Sequence, residues 1–322
     1  MGSDIQRNKI FPSGIHVPIL TFFKDDARQE VDWELQQRHT KFMVESGLHG
    51  IVIAGSNGEA VALSTDEKVG LVRQARQIAE QLGRPEITLT LGCSGQATRQ
   101  VIDETVAAKA AGADFAMVLT PSYYHFAMDS QAIIAFFQEV ADHSPIPVMV
   151  YNFPGVSAGI DVNSEILVAL SGHPNISGAK LTCGGIGKVP RVAAATKDFG
   201  ILSGQIDWMI PAMSVGAIGA ITGMANLHPR ACVELYDLFQ AGKIQEASKF
   251  QLEVATAEFA FAKGGINGNK WVVAKLLGYP ASSDACRRPY PLFRNPSKQE
   301  EVLGLAERLT AVEQQLTKQS KA

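Results

Sequence analysis

A beat of short apolar runs and helical stretches, repeated eight times, is what most constrains the fold of this chain. The runs are "HVPILTFF", "HGIVIAGS", "EITLTLGCS", "ADFAMVLTP", "IPVMVYNFP", "ISGAKLT", "FGILSGQ" and "GAIGAITGM", each bounded by turn residues. Most are separated by stretches of helical period such as "DWELQQRHTKFMVESG", "STDEKVGLVRQARQIAEQLG", "QATRQVIDETVAAKAAG" and "DSQAIIAFFQEVADHS". These begin at Ser, Asp or Gln, and several end at Gly. Alternating strand and helix units predict a parallel sheet with its helices outside, and eight of them predict a closed (β/α)8 TIM barrel. An open doubly wound sheet is the rival, but no GxGxxG follows the first strand.

Residues 1–228 would carry the barrel's strands and helices, and residues 229–322 its last helix and a C-terminal helical extension, all in one structural unit. Of the segments after the eighth run only "HPRACVELYDLFQAGKIQEASKFQLEVATAEFAFAKG" is needed to close the barrel, ahead of "GNKWVVAKLLG" and "SKQEEVLGLAERLTAVEQQLTKQ". "RRPYPLFRNP" is a proline-rich connector to a final helix.

With 322 residues, 46% hydrophobic and 19% charged, the chain can bury one large core. A net charge of -3 and no basic stripe argue against nucleic acid as a partner. Cys93, Cys183, Cys232 and Cys286 are far apart and form no CxxC, which suits a reducing compartment. The seven histidines show no ligand spacing, so no metal is expected. No run is long enough to span a bilayer, and a cytoplasmic location is expected. The Ser320-Lys321-Ala322 tail leaves the peroxisome as the alternative, since it departs from SKL at its last position.

One strand is unusual. In "NISGAKLTCGG", alternation puts Ile176, Gly178, Lys180 and Thr182 on one face and Ser177, Ala179 and Leu181 on the other. Both faces are mostly small or apolar, and an ammonium is costly to bury. Lys180 is therefore paired, reaching the rim, or present for its chemistry. No Asp or Glu stands on the strand ends near it in sequence. Burial disfavours the charged form of a lysine, and a neutral amine can attack a 2-oxo group to give an iminium, an electron sink for the adjacent carbon–carbon bond.

Barrel active sites gather at the C-terminal ends of the strands. Those ends read "GSNGEA", "TPSYYHF", "YNFPGVSAG" and "AKLT". "GSNGEA" is a turn and helix start whose Ser56 and Asn57 N–H groups could hold a carboxylate. Tyr151 is either a core tyrosine or a site residue. Tyr123 and Tyr124 are adjacent and should point to opposite sides, one facing the site and the other packing. "GGIG" at 184–187 reads as a flexible turn, and Asp207 as a helix cap.

Taken together, "GSNGEA", "TPSYY", "YNFPG" and "GAKLT", in that order and spacing, resemble the dihydrodipicolinate synthase and N-acetylneuraminate lyase superfamily of class I aldolases over residues 14–295. The resemblance implies that Lys180 forms a Schiff base with pyruvate or another 2-oxo acid and that Tyr151 shuttles the proton. It implies that Gly55, Ser56 and Asn57 bind the carboxylate, with the hydroxyl relay resting on Ser56 because Asn57 fills the second position. A second relay tyrosine, often from a neighbouring subunit, falls at Tyr124 or Tyr123. Gly204 and Ile221 fall where the family lines the pyruvate pocket, and Thr182 joins the substrate-binding candidates on the face of Lys180. No cofactor or metal is implied beyond the covalent iminium, and a homo-oligomer, a tetramer by resemblance, is expected.

The synthases carry an arginine just after YN-x-P to clamp a second carboxylate; here Val156 follows and no arginine is near. The expectation is a lyase cleaving a 2-oxo-3-deoxy sugar acid, best 2-keto-3-deoxy-L-galactonate of galacturonate breakdown, to pyruvate and L-glyceraldehyde. The rivals are a 4-hydroxy-2-oxoglutarate aldolase giving glyoxylate, an N-acetylneuraminate lyase or sugar-acid dehydratase, and a barrel that only binds a sugar acid.

Overall fold

The computed structural model describes residues 10–320. The start of the chain and the last two residues of the Ser320-Lys321-Ala322 tail lie outside the described residues. Eight parallel strands close into a barrel in sequence order, the first pairing with the last. They are β1 (Gly14–Pro18), β2 (Gly50–Ile53), β3 (Thr88–Gly92), β4 (Phe115–Leu119), β5 (Val148–Asn152), β6 (Ile176–Leu181), β7 (Gly200–Ser203) and β8 (Gly219–Ile221). Each falls inside one of the eight apolar runs, save that β1 begins two residues before its run.

The outer helices are α1 (Trp33–Val44), α2 (Thr65–Gln81), α3 (Thr98–Ala111), α4 (Ser130–His143), α5 (Ser164–Ser171), α6 (Lys188–Ala195), α7 (Met209–Met213) and α8 (Pro229–Gln240). Side chains of Asp32, Ser64, Asp129 and Asn163 cap four of them, and Ser64 forms a capping box with Glu67. A long α9 (Ile244–Leu276) follows, then α10 (Pro296–Ala306) and α11 (Thr310–Gln319). Gly265, at φ 60° and ψ -164°, breaks α9 into two helical pieces. Among the described residues no helix is long and apolar enough to cross a membrane.

Alternate strand residues separate two cores. Phe11, Val52, Phe115, Met117, Met149, Tyr151, Leu202 and Ile221 fill the barrel, whereas Ile51, Leu89, Val118, Val150 and Leu181 pack outward against the helices. Strict alternation fails once on β6. The β5–β6 register shifts between Val148 and Met149, so Ile176 joins the outer core while Lys180 stays inside, level with Tyr151.

Candidate active site

The C-terminal ends of the strands surround a cavity of about 750 Å³, well within the range of small-molecule sites. Gly55, Ser56, Asn57, Tyr151, Lys180, Thr182 and Gly204 all line it. Register places Tyr151 beside Lys180 on adjacent strands. Lys180 is 2% exposed, and its Nζ lies 4.3 Å from the centre of the Tyr151 ring. The Tyr151 Oη lies 3.3 Å from Ser56 Oγ, which links the loop after β2 to the strand-five tyrosine.

Lys180 differs from the other buried lysines. Lys68 pairs with Glu104, Lys188 with Asp161 and Lys270 with Glu59. Among the described residues Lys180 alone of these four lacks an ion pair. The sequence left pairing open, and the geometry removes it.

The loop after β2 is held by its neighbours. Ala54 and Glu59 have positive φ, 52° and 57°, a conformation that costs a non-glycine residue energy and persists only where packing enforces it. Here Glu59 is clamped by Lys270 of α9 at 2.5 Å and accepts from the Arg287 N–H at 2.8 Å. The Glu59 and Ala60 N–H groups are taken by the Ser56 and Gly55 carbonyls. Those of Ser56 and Asn57 donate to nothing among the described residues, as a carboxylate cradle requires.

Close approach also explains Gly204. A Cβ there would fall 2.0 Å from Thr182 Oγ1, so only glycine lets the end of β7 lie against the end of β6. After β5, the Asn152 side chain bonds Asp161 and both backbone groups of Val162. That folds the "FPGVSAG" loop back and leaves Val156 facing the cavity. Among the described residues no arginine lines it.

Three expectations need correction. Tyr123 and Tyr124 do not alternate: they are 74% and 64% exposed, stack edge to face at 4.9 Å, and line no part of the cavity. They lie past the end of β4, where Gln96 Oε1 holds the Ser122 and Tyr123 N–H groups in a turn. Ile221 is buried in the barrel core beneath, and the cavity is lined instead by Gly223. Asp207 caps no helix, since Trp208 precedes α7 without a side-chain bond, and it lines the cavity. No acid stands near Lys180 in sequence, as read, but Glu258 of α9 comes close enough to interact with it through space. The 184–187 loop leads into α6 and does not line the cavity.

Glu258 and its companions were missed. Glu258, Phe261, Ala262, Gly265, Ile266, Asn269 and Tyr290 come from the C-terminal extension and close one wall. Glu258 is buried, and desolvation, with Asp207 beside it, pushes its carboxyl up to about 8, while the Thr222 hydroxyl and Lys180 draw it down. Desolvation also raises Asp207, against bonds from its own and the Trp208 N–H. The signal existed: in "VATAEFAFA" one acid stands in a stretch of small and apolar residues broken only by Thr256.

The chain as a whole has known relatives. The sequence matches the dihydrodipicolinate synthetase family over residues 11–308. The chain belongs to that family. It is 40% identical over 273 residues, 84% of this chain and 88% of the relative, to an Emericella nidulans protein named as a mitochondrial 4-hydroxy-2-oxoglutarate aldolase. It is 36% identical over 277 residues, 83% of this chain and 88% of the relative, to the L-threo-3-deoxy-hexylosonate aldolase of Hypocrea jecorina. The crystal structure of a dihydrodipicolinate synthase family protein from Coccidioides immitis superposes with a TM-score of 0.83 at 32% identity, covering 95% of this chain and 98% of that one. This family member is an enzyme, a carbon–carbon lyase of the class I aldolase type.

Proposed function

We propose that the chain cleaves a 2-oxo-3-deoxy sugar acid, best 2-keto-3-deoxy-L-galactonate, to pyruvate and L-glyceraldehyde through a Schiff base on Lys180. The observation that carries the reading is the unpaired, buried Lys180 amine over the Tyr151 ring in the cavity at the strand ends. In this mechanism the neutral amine adds to C2 of the substrate and water leaves, giving an iminium. Tyr151 takes the proton of the 4-hydroxyl, the C3–C4 bond breaks, and its electron pair moves into the enamine as the aldehyde departs. Protonation at C3 and addition of water then release pyruvate and restore the lysine. Ser56 passes the proton from Tyr151, while the free Ser56 and Asn57 N–H groups hold the substrate carboxylate.

The cavity's charge favours a substrate with one carboxylate. Lys180 is the one cationic side chain lining it among the described residues, and Asp207 and Glu258 face it. A second carboxylate would find no cation of its own there and would meet the Asp207 carboxylate. The second reading is 4-hydroxy-2-oxoglutarate, supported by the 40% identity to the relative of that name. Parallel assays on the two acids decide between them. Borohydride reduction with pyruvate, followed by peptide mass spectrometry, tests the mechanism: an adduct on the Lys180 peptide supports it, and none from folded protein sinks it.

The reading needs no cofactor or metal, because the iminium withdraws the electrons. It keeps a homotetramer, in which the exposed Tyr123, Tyr124 and Phe126 are offered to a neighbouring subunit as relay and contact. It keeps a reducing location, with four free cysteines. The cytoplasm is the first choice, and the relative's mitochondrial name is the rival.

A further inference from the structure

The chemistry above leaves unassigned the atoms beyond the cleaved bond, which depart as the aldehyde. Three polar side chains on the cavity wall are likewise unused. Glu258 is 5% exposed; Thr222 Oγ1 donates to its Oε2 at 3.2 Å, and its Oε1 bonds nothing among the described residues. Asn269 is 6% exposed, and its Oδ1 is buried without a hydrogen-bond partner. Asp207 reaches the same cavity from the loop after β7. Buried polar atoms are as a rule satisfied, so the unpartnered Asn269 amide oxygen, on one cavity wall with the Glu258 and Asp207 carboxyls, points to a ligand that brings its own hydroxyls.

We propose that Glu258 is a specificity-determining residue which, with Asp207 and Asn269, binds the hydroxyl groups of the departing aldehyde. This rests on the Lys180 aldolase reading and extends it to the other end of the substrate. The break at Gly265 is what allows it. In a straight helix, positions 258 and 269 would lie about 16 Å apart along the axis. The turn at Gly265 lets both line one cavity, with Ile266 between them as an apolar wall.

Chemistry fits the geometry. With its carboxyl pushed up to about 8, Glu258 holds a proton at neutral pH and can donate from one oxygen while Thr222 satisfies the other. An amide, which both donates and accepts, and a carboxylate complete a set suited to vicinal hydroxyls. The same set offers a second carboxylate no cation.

The test runs in the condensation direction, with pyruvate saturating and two acceptors compared, L-glyceraldehyde and propionaldehyde, which lacks both hydroxyls. Glu258→Leu should lower kcat/KM for L-glyceraldehyde roughly 10- to 100-fold, mostly through KM, and for propionaldehyde less than about 3-fold. Glu258→Gln, which keeps a donor, should recover most of the loss. If Glu258→Leu does not fold, Asn269→Leu carries the same comparison and the same expectation. Equal losses with both aldehydes, or no loss with either, would overturn the inference. Borohydride trapping of pyruvate on Lys180 separates the two claims: trapping without selective loss overturns this one alone, and no trapping in the wild type overturns both.

Discussion

Glu59 and Lys270 meet at 2.5 Å with their side chains 1% and 0% exposed, binding the loop after β2 to the second half of α9. A buried pair of this kind adds little net stability, but removal of one partner strands the other charge and costs about 3–5 kcal/mol. Lys270→Met should therefore lower the unfolding free energy by that order in urea titrations. Because Glu59 sits at positive φ two residues from Asn57, the same change should weaken pyruvate binding. A double substitution, Glu59→Leu with Lys270→Met, should regain stability without regaining binding. Full stability in Lys270→Met would show that the pair is solvated.

Tyr151 is assigned the proton of the 4-hydroxyl, a role its aromatic ring alone cannot fill. Tyr151→Phe keeps the ring beneath the amine and removes only the hydroxyl. We expect kcat for retro-aldol cleavage to fall about 10²- to 10⁴-fold, while the borohydride-trapped pyruvate adduct still forms at its end point. Ser56→Ala should cost less, about 10-fold, since its bond to Tyr151 is long at 3.3 Å. Wild-type turnover in Tyr151→Phe would remove this tyrosine from the reaction.

How far these roles could be read from the sequence depended on whether each residue sits in a regular element. Strand and helix periods placed the barrel because both are local repeats, and Lys180 stood out as one charge in a buried strand. Tyr123 and Tyr124 defeated alternation because they lie in a turn held by Gln96, twenty-seven residues from Tyr123 in sequence. Glu258 could not be joined to Lys180, seventy-eight positions earlier, because only the packing of α9 across the barrel mouth brings them together. Ile176 was put on the wrong face by a register shift at Ser177, which no local pattern marks.

Stability should also carry a trace of Glu258. Its carboxyl faces Asp207, Lys180, Thr222 and Cys232 and stays protonated up to about 8, whereas an unfolded glutamate loses its proton near pH 4.3, roughly. Between those values the folded chain binds a proton that the unfolded chain has released, so this contribution is whole at low pH and is lost as pH rises through about 8. Urea midpoints for the wild type and Glu258→Gln, followed from acid to alkaline pH, should draw together in acid and move apart between about pH 4 and about 8, the wild type declining more. Parallel curves would place Glu258 in contact with water.

Gly204 gives the most geometric prediction. A Cβ at this position would meet Thr182 Oγ1 at 2.0 Å and the Leu181 carbonyl at 2.8 Å, so Gly204→Ala must push the end of β7 away from the strand that carries Lys180. Overpacking of this kind costs about 1–3 kcal/mol, and a displacement near 1 Å at the reacting groups is enough for a roughly 100-fold loss of rate. Adding Thr182→Ala removes the hydroxyl clash but not the carbonyl one, so the double variant should recover only part of the activity. Full recovery would mean that Thr182 alone sets the requirement for glycine, and an active Gly204→Ala would mean that the two strand ends can separate without disturbing the lysine.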